Sequence, residues 1–251
     1  MIKLNGHEIK PTMFPDGTSQ VWEIPEEAFD LDENTVCWEF ENEAELIHLA
    51  QLKTLLDETL EPSALIHLEM PYYPYGRQDK NVSNETTFAR KTFEDILYHL
   101  NFDEIWTIDI HSKSKLASNI SPENYINIAL FETKPTVIVF PDKGAANRYS
   151  RMFHEMYRLI SFEKQRNQLT GEITGLKPES TDFNESDRIL VVDDICDRGG
   201  TFIGIAQELQ KLGVTDINLY VTHGLFTGEP NALTNVGIKR VFTYKGEQFG
   251  K

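Results

Sequence analysis

The chain has 251 residues, of which 40% are hydrophobic and 25% charged, an ordinary globular composition that excludes a disordered or fibrous protein. The formal net charge of -16 argues against nucleic acid as a partner, and no apolar run reaches the roughly 18 residues that a membrane-spanning helix needs. The polar start MIKLNGHEIK lacks a secretory core, and two cysteines, Cys37 and Cys196, make no disulfide framework, so we expect a cytoplasmic protein.

Compact apolar runs bounded by polar, Gly or Pro residues predict five short buried strands. In chain order they are Ala64–Glu69, Glu104–Asp109, Thr136–Phe140, Ile189–Asp193 and Ile217–Thr222. Two sets of apolar residues at helical spacing lie between these strands, namely Phe93, Ile96, Leu97 and Leu100, and Phe202, Ile205, Ala206 and Leu209. Gly213 is a suitable residue to end the second helix.

The alternation of strands and helices predicts an α/β fold with mostly parallel sheets flanked by helices. Ligand sites in such sheets form at the carboxyl ends of the strands. A division near residue 133 gives two α/β halves of similar size, 1–133 and 134–251. The polar stretch Gln165–Ser186 is typical of a long mobile loop, and we expect it to be functional.

One segment, Ile189–Thr201 (ILVVDDICDRGGT), joins a strand end to the start of a helix. The strand delivers Asp193 and Asp194 to the sheet edge, where two carboxylates can accept hydrogen bonds from vicinal ribose hydroxyls or bind Mg²⁺. Gly199 and Gly200 let the backbone approach an anion, and the helix that starts near Thr201 points N–H groups at that anion. The pattern indicates a ribose-phosphate site, against the alternative of an ordinary strand–turn–helix with acidic surface residues.

This segment resembles the phosphoribosyltransferase-type ribose-phosphate motif, which phosphoribosyltransferases share with the phosphoribosyl-diphosphate (PRPP) synthetases, or ribose-phosphate diphosphokinases. Six further segments resemble the synthetases and follow their order: FPDG (14–17), MPYYPYGRQDK (70–80), TIDIHS (107–112), PDKGAANR (141–148), FEKQR (162–166) and THGLFTG (222–228). The chain thus resembles the synthetase family over roughly Phe14 to Tyr244, whereas phosphoribosyltransferases match only around Asp193–Thr201. The resemblance implies two similar phosphoribosyltransferase-type domains, the first on the nucleotide side and the second with the ribose-phosphate loop.

The resemblance also implies a role for each matched residue. The ATP-binding residues would be Phe14, Asp16, Arg77 and Gln78. The ribose-phosphate-binding residues would be Asp193, Asp194, Asp197, Arg198, Gly199, Gly200 and Thr201. His111 and Asp142 would hold the Mg²⁺ that accompanies ATP, and the catalytic cations Lys164 and Arg166 would neutralise charge on the transferring diphosphate. No side chain is an obvious general base.

Two departures from the family bear on substrate and assembly. Arg198 stands where the synthetases usually carry Thr, and its added charge and bulk indicate that the acceptor could be ADP-ribose, with a diphosphate on the ribose 5-oxygen, as well as ribose 5-phosphate. Thr18 stands where the family usually has Glu, in the segment that reaches a neighbouring subunit's adenine pocket; the resemblance nonetheless implies a homo-oligomer with sites near subunit interfaces. Two alternatives stay open: a phosphoribosyltransferase that consumes PRPP, and a catalytically silent regulatory homologue.

Overall fold

The computed structural model describes residues 1–81, 83, 85–153, 156–166 and 173–250, and of residues 164–166, 173, 174 and 250 it describes the backbone alone. The chain divides into two compact units, Met1–Ile120 and Ser121–Lys251. No helix among the described residues is long and apolar enough to cross a membrane. The cytoplasmic location stays a prediction.

The first unit is built on a six-stranded sheet with the strand order β2-β1-β5-β6-β7-β8. Its strands are β1 (Ile2–Leu4), β2 (His7–Ile9), β5 (Glu33–Trp38), β6 (Leu65–Glu69), β7 (Glu104–Ile108) and β8 (Ser118–Ile120). Strands β5 to β8 run parallel to one another, and β1 and β2 continue the sheet antiparallel. Two helices, α1 (Glu45–Thr59) and α2 (Ala89–Leu100), contribute buried leucines and Phe93 to the core. A separate hairpin of β3 (Thr12–Met13) and β4 (Ser19–Gln20) completes the unit.

The second unit is built on a seven-stranded sheet with the order β11-β10-β9-β12-β13-β14-β15. Its strands are β9 (Val137–Phe140), β10 (Arg158–Arg166), β11 (Ile173–Pro178), β12 (Arg188–Cys196), β13 (Asp216–Gly224), β14 (Ile238–Thr243) and β15 (Gly246–Gly250). Its helices are α3 (Glu123–Thr133), α4 (Lys143–Tyr149), α5 (Gly200–Lys211) and α6 (Ala232–Asn235). The five inner strands β10, β9, β12, β13 and β14 are parallel, and the edge strands β11 and β15 are antiparallel to their neighbours.

The strands β9 and β12 are buried on both faces, because successive side chains point to opposite sides of the sheet. Val139 and Val191 pack into the core under α5, while Ile138 and Leu190 pack into the core under α3 and α4. The predicted α/β fold with mostly parallel sheets and flanking helices is therefore confirmed. The five predicted strands and both predicted helices are present, and Gly213 follows the end of α5 with a positive φ of 85°.

Two expectations about the chain's organisation need correction. The stretch Gln165–Ser186 is not loop throughout, because β10 extends to Arg166 and β11 pairs with it antiparallel from Ile173 to Pro178. This hairpin satisfies backbone groups that a loop would leave to water. The boundary between the units lies at Ile120/Ser121 rather than near 133, because α3 buries Ile126 and Ala129 in the core of the second unit.

This boundary predicts that a fragment of residues 121–251 is more stable than one of residues 134–251. The shorter fragment lacks α3, whose Ile126 and Ala129 are only 1% and 0% exposed. Loss of this helix therefore exposes the apolar surface that these two residues cover. We expect a lower urea midpoint, by an amount that corresponds to roughly 3 kcal/mol or more, since deletion of large buried side chains costs this much each. Equal urea midpoints for the two fragments would contradict the placement of α3 in the second unit.

Candidate active site

The two acids of the ribose-phosphate motif lie near the carboxyl end of β12, which runs three residues further than predicted, to Cys196. Their side chains are largely buried, at 16% exposure for Asp193 and 5% for Asp194. Arg148, on helix α4, contacts both of them: its Nη2 lies 3.2 Å from Oδ1 of Asp193 and 3.0 Å from Oδ1 of Asp194. One guanidinium therefore holds the two carboxylates at the sheet edge.

Burial and mutual repulsion dominate the electrostatics of the acid pair. Burial first, and then the negative charge of Asp194, raise the pKa of Asp193 well above its usual value, against the opposing effect of Arg148. Burial lowers the pKa of Arg148, but the hydrogen bond and charge of Asp194 outweigh it and hold that pKa above its usual value. Arg148 thus stays positively charged, and a ligand that approaches the acids meets a site already partly neutralised.

The predicted phosphate loop follows directly on the acid pair. Gly199 precedes the first turn of α5 with a φ of 81°, a left-handed conformation that favours glycine. The next residues, Gly200 and Thr201, open the helix, so that their N–H groups lie at its amino end. Asp197 does not point freely into the loop, because the Thr227 hydroxyl donates a short hydrogen bond to its carboxylate and the Thr227 N–H donates to its carbonyl. These contacts tie the loop to the segment after β13.

Arg198 is exposed, and within the part of the chain that the structure describes it forms no ion pair. Its backbone is closely covered by Gly228, where a Cβ atom would lie 2.5 Å from the Arg198 carbonyl oxygen. The backbone of Arg198 is therefore fixed while its guanidinium extends from the loop. The charge of this side chain remains available to a ligand.

Asp142 follows β9, the strand next to β12. It therefore lies at the same edge of the sheet as the acid pair. It caps α4, since its Oδ1 accepts a hydrogen bond from the N–H of Ala145 at 3.0 Å. The next residue, Lys143, bridges Glu163 of β10 (3.3 Å) and Glu179 (3.4 Å). Residues Lys164 and Arg166 lie in β10 just beyond, but their side chains fall outside the described residues.

The predicted ATP and metal residues of the first unit lie on two loops. Arg77 and Gln78 are exposed on the loop after β6, and His111 is exposed on the loop after β7. The loops are close together, because a Cβ atom at Gly76 would lie 3.8 Å from the Cβ of His111. Tyr75 (φ 60°) and Asp109 (φ 49°) adopt left-handed backbone conformations, which non-glycine residues hold only where surrounding contacts impose them.

A buried polar network holds these two loops in place. Arg90 of α2, only 4% exposed, donates from Nη2 to the carbonyl of Lys113 at 2.7 Å and from Nη1 to Ser112, while its own N–H donates to the carbonyl of Gln78 at 3.4 Å. Glu94 pairs with Arg90 at 3.0 Å and accepts hydrogen bonds from the hydroxyls of Tyr73 at 2.9 Å and Ser114 at 2.8 Å. One helix thus bonds to both loops.

Phe14 and Asp16 lie on the turn between β3 and β4, apart from the six-stranded sheet. The N–H and hydroxyl of Thr18 donate to one oxygen of Asp16, at 3.0 and 2.7 Å. These hydrogen bonds lower the pKa of the exposed Asp16. Phe14 contacts Trp22 edge to face, with ring centroids 6.0 Å apart. Thr18, the residue that departs from the family pattern, therefore orients Asp16 locally.

No cluster of three or more His, Cys, Asp or Glu side chains that could hold a metal ion occurs among the described residues. The residues present nonetheless suit Mg²⁺, which binds through one or two carboxylates together with substrate phosphates and water rather than through an all-protein cage. Among the described residues, Asp142 uses one carboxylate oxygen for its helix cap and has the other left for a metal ion, and the acid pair could supply further oxygen ligands. His111 belongs to the first unit and Asp142 to the second.

Sequence reasoning missed the two arginines that organise these residues. Arg148 is the last residue of the quoted segment PDKGAANR, and its place six residues after the helix cap Asp142 could have indicated a charge that returns to the sheet edge. Arg90 belongs to none of the quoted segments, and no signal in the sequence distinguishes it from a surface arginine. Thr227 belongs to the segment THGLFTG, to which the sequence analysis assigns no role in the site.

The fold is of the phosphoribosyltransferase-type α/β class. Over 93% of its length the chain superposes on phosphoribosylpyrophosphate synthetase from Mycobacterium smegmatis, covering 78% of that chain with a TM-score of 0.75 and 19% identity. A ribose-phosphate pyrophosphokinase of Sulfolobus acidocaldarius is 29% identical over 250 residues, which are 94% of this chain and 83% of the relative. One of Agrobacterium fabrum is 27% identical over 191 residues, 72% of this chain and 61% of the relative.

The chain is therefore similar in sequence to ribose-phosphate pyrophosphokinases, also called PRPP synthetases, and shares their fold. Its matched part spans about three-fifths of the length of several of these relatives, for example 61% in Agrobacterium fabrum. No protein-family model matches the chain.

The buried network predicts that Glu94→Gln destabilises the protein at neutral pH by about 2 kcal/mol, the usual loss for a hydrogen-bonded charge. Burial raises the pKa of Glu94, but the hydrogen bonds from Ser114, Arg90 and Tyr73 and the charge of Arg90 outweigh it, so its pKa in the folded protein lies below the unfolded value. A depressed pKa stabilises the fold above the unfolded pKa, and this stabilisation is lost as the pH falls.

The free energy of unfolding in urea, measured at pH 7 and near pH 4, checks this expectation. The wild type should lose more stability between the two pH values than Glu94→Gln does. Asp95→Asn is the matched control, because Asp95 forms the same i,i+4 pair with Lys91 on the exposed side of α2 and should change little. The same fall in stability for the wild type and Glu94→Gln would contradict the assignment.

Proposed function

We propose that the protein is a ribose-phosphate diphosphokinase. It transfers the β,γ-diphosphate of ATP to the C1 hydroxyl of ribose 5-phosphate, or of a ribose with a larger group on its 5-oxygen such as ADP-ribose, and releases AMP. The observation that carries the proposal is the joining of two buried carboxylates to a glycine-bearing helix start at one sheet edge, in a chain similar to PRPP synthetases. A sugar hydroxyl pair and a phosphate fit these two features.

In this mechanism the second unit binds the acceptor. Asp193 and Asp194 accept hydrogen bonds from the 2- and 3-hydroxyls, which fixes the orientation of C1. The phosphate on the 5-oxygen accepts hydrogen bonds from the N–H groups of the loop from Gly199 to Thr201. The C1 oxygen forms a bond to the β-phosphorus, the bond between that phosphorus and the oxygen bridging to the α-phosphorus breaks, and the hydroxyl proton leaves to solvent.

The first unit binds the nucleotide. Arg77 pairs with ATP phosphates, and Gln78 supplies an amide for the adenine edge or a hydroxyl. Phe14 stacks on an adenine and Asp16 accepts from its amine, in the site of a second copy of the chain if the protein is a homo-oligomer. His111 and Asp142 would hold Mg²⁺, which supplies positive charge at the phosphates.

The basic residues of β10 provide the remaining charge. Lys164 and Arg166 stabilise the negative charge that spreads over the transferring diphosphate, and their approach excludes water. Arg148 acts as a positioning residue, because it holds both strand-end acids in one orientation. With no general base required, catalysis comes from positioning and charge neutralisation.

AMP release from ATP and Mg²⁺ tests the proposed function. With ribose 5-phosphate or ADP-ribose present and no nucleobase added, we expect AMP from the wild type and a loss of turnover of about 10²-fold or more in Lys164→Ala, with nucleotide binding largely kept. A protein that forms no AMP with either sugar, but consumes PRPP with a base, would be a phosphoribosyltransferase. A protein inactive in both assays would be the silent homologue. Clear preference for ribose 5-phosphate would exclude ADP-ribose as the acceptor.

Arg148→Met should raise the KM for the acceptor sugar and lower kcat, together by about tenfold to a hundredfold in kcat/KM. The substitution leaves two buried carboxylates without their shared cation, so that they repel each other and lose their common orientation. Steady-state kinetics with varied acceptor measure the effect, and Arg148→Lys should recover part of it. Arg151→Met is the matched control, because Arg151 is exposed three residues later. Unchanged kinetics in Arg148→Met would contradict the positioning role.

A further inference from the structure

A cavity of about 260 Å³ lies beside the phosphate loop within the second unit. Its wall is shared between the loop, through Cys196 and Arg198, the segment after β13, through Phe226, and helix α6, through Ala232 and Leu233; Phe249 of the edge strand β15 closes it. No predicted role uses the residues beyond the loop. The volume is close to the lower end of small-molecule sites, so it suits one ring-bearing group.

The cavity wall is bonded to the phosphate loop. The N–H groups of Leu225 and Phe226 donate to the carbonyl of Cys196 at 2.8 and 3.3 Å, and the N–H of Thr227 donates to the carbonyl of Asp197 at 3.1 Å. Phe226 is held in a left-handed conformation (φ 48°), which bulky residues adopt only where contacts impose it. The wall therefore keeps a fixed position relative to any phosphate on the loop.

The interior of the cavity is mainly aromatic and aliphatic. The rings of Phe226 and Phe249 meet edge to face, with centroids 4.9 Å apart, and Phe249 remains 39% exposed on the edge strand. The side chain of Leu233 adds a buried aliphatic surface. Aromatic and aliphatic walls of this kind suit the faces and edges of a planar ring system.

The charge of Arg198 lies where the loop and the cavity meet. Asp197 is already bonded to Thr227, so among the described residues the guanidinium of Arg198 remains available for an anion. A monophosphate on the loop would accept hydrogen bonds from the N–H groups at the amino end of α5 and would not need Arg198. A second phosphate attached to it would pair with Arg198, and a group beyond the second phosphate would reach the cavity.

We propose that this cavity binds the base-bearing end of the acceptor, which is then a ribose joined through a 5-diphosphate to a nucleoside. The assignment rests on the proposed function, because it takes the loop as the site of the acceptor's first phosphate. Ribose 5-phosphate has no group to occupy the cavity. The cavity therefore selects for the larger acceptor.

Ala232→Phe tests the assignment by filling the cavity. We expect the affinity for ADP-ribose, measured by calorimetry without ATP, to fall about tenfold or more, while the affinity for ribose 5-phosphate stays within about twofold. Phe249→Ala, on the exposed edge strand, removes part of the wall instead and should weaken ADP-ribose about threefold to tenfold. Phe131→Ala is the matched control, because Phe131 is 75% exposed on α3 of the same unit.

Thermal unfolding shows whether each variant is folded. If Ala232→Phe does not fold, Phe249→Ala provides the test. Equal loss of affinity for both sugars, or no loss for ADP-ribose in a folded variant, overturns the assignment. Failure of ADP-ribose to bind to the wild type overturns it as well, although AMP formation with ribose 5-phosphate would then still support the proposed function. Cavity-dependent binding of ADP-ribose without any AMP release supports the occupant and places the failure in the proposed reaction.

Discussion

The contact of Arg148 with two buried carboxylates is the interaction on which the candidate site depends. Two acids at adjacent positions of one strand repel each other, and burial makes the repulsion stronger than it would be in water. The guanidinium, 3.2 and 3.0 Å from the two carboxylates, makes their burial tolerable at the point where β12 meets the glycine loop. The same helix that carries Arg148 begins at Asp142, so one short helix connects two strand ends.

An arginine on a helix also holds the loops of the first unit in place. Arg90 is buried on α2 and bonds to the backbone of both the Gln78 and the Ser112 segments, with Glu94 as its counterion. In each unit an arginine on a helix, buried in the case of Arg90 and half-buried in the case of Arg148, orders the polar ends of parallel strands. Among the predicted substrate-binding residues, Asp16, Arg77, Gln78 and Arg198 are exposed, whereas Asp194 is buried.

Much of the fold and of the candidate site could be predicted from the sequence, because continuous apolar runs mark β9, β12 and β13, and most of the motifs lie at or just after the end of a strand. The first strands, β1 and β2, have three residues each, too short for a period of two to be recognised. The hairpin of β10 and β11 resembled a loop because its outer part is polar. Arg90 and Arg148 were missed because burial of an arginine depends on its partners, which lie far away in the sequence. The cavity beside Arg198 could not be predicted for the same reason, because Phe249, which lines it, is far from Arg198 in the sequence.

A crystal structure with ribose 5-phosphate bound tests the central claim most directly. The account predicts the phosphate within hydrogen-bond distance of the N–H groups between Gly199 and Thr201, and the 2- and 3-hydroxyls on Asp193 and Asp194 beside Arg148. A sugar phosphate bound elsewhere, with the acid pair and the glycine loop facing only solvent, would contradict it.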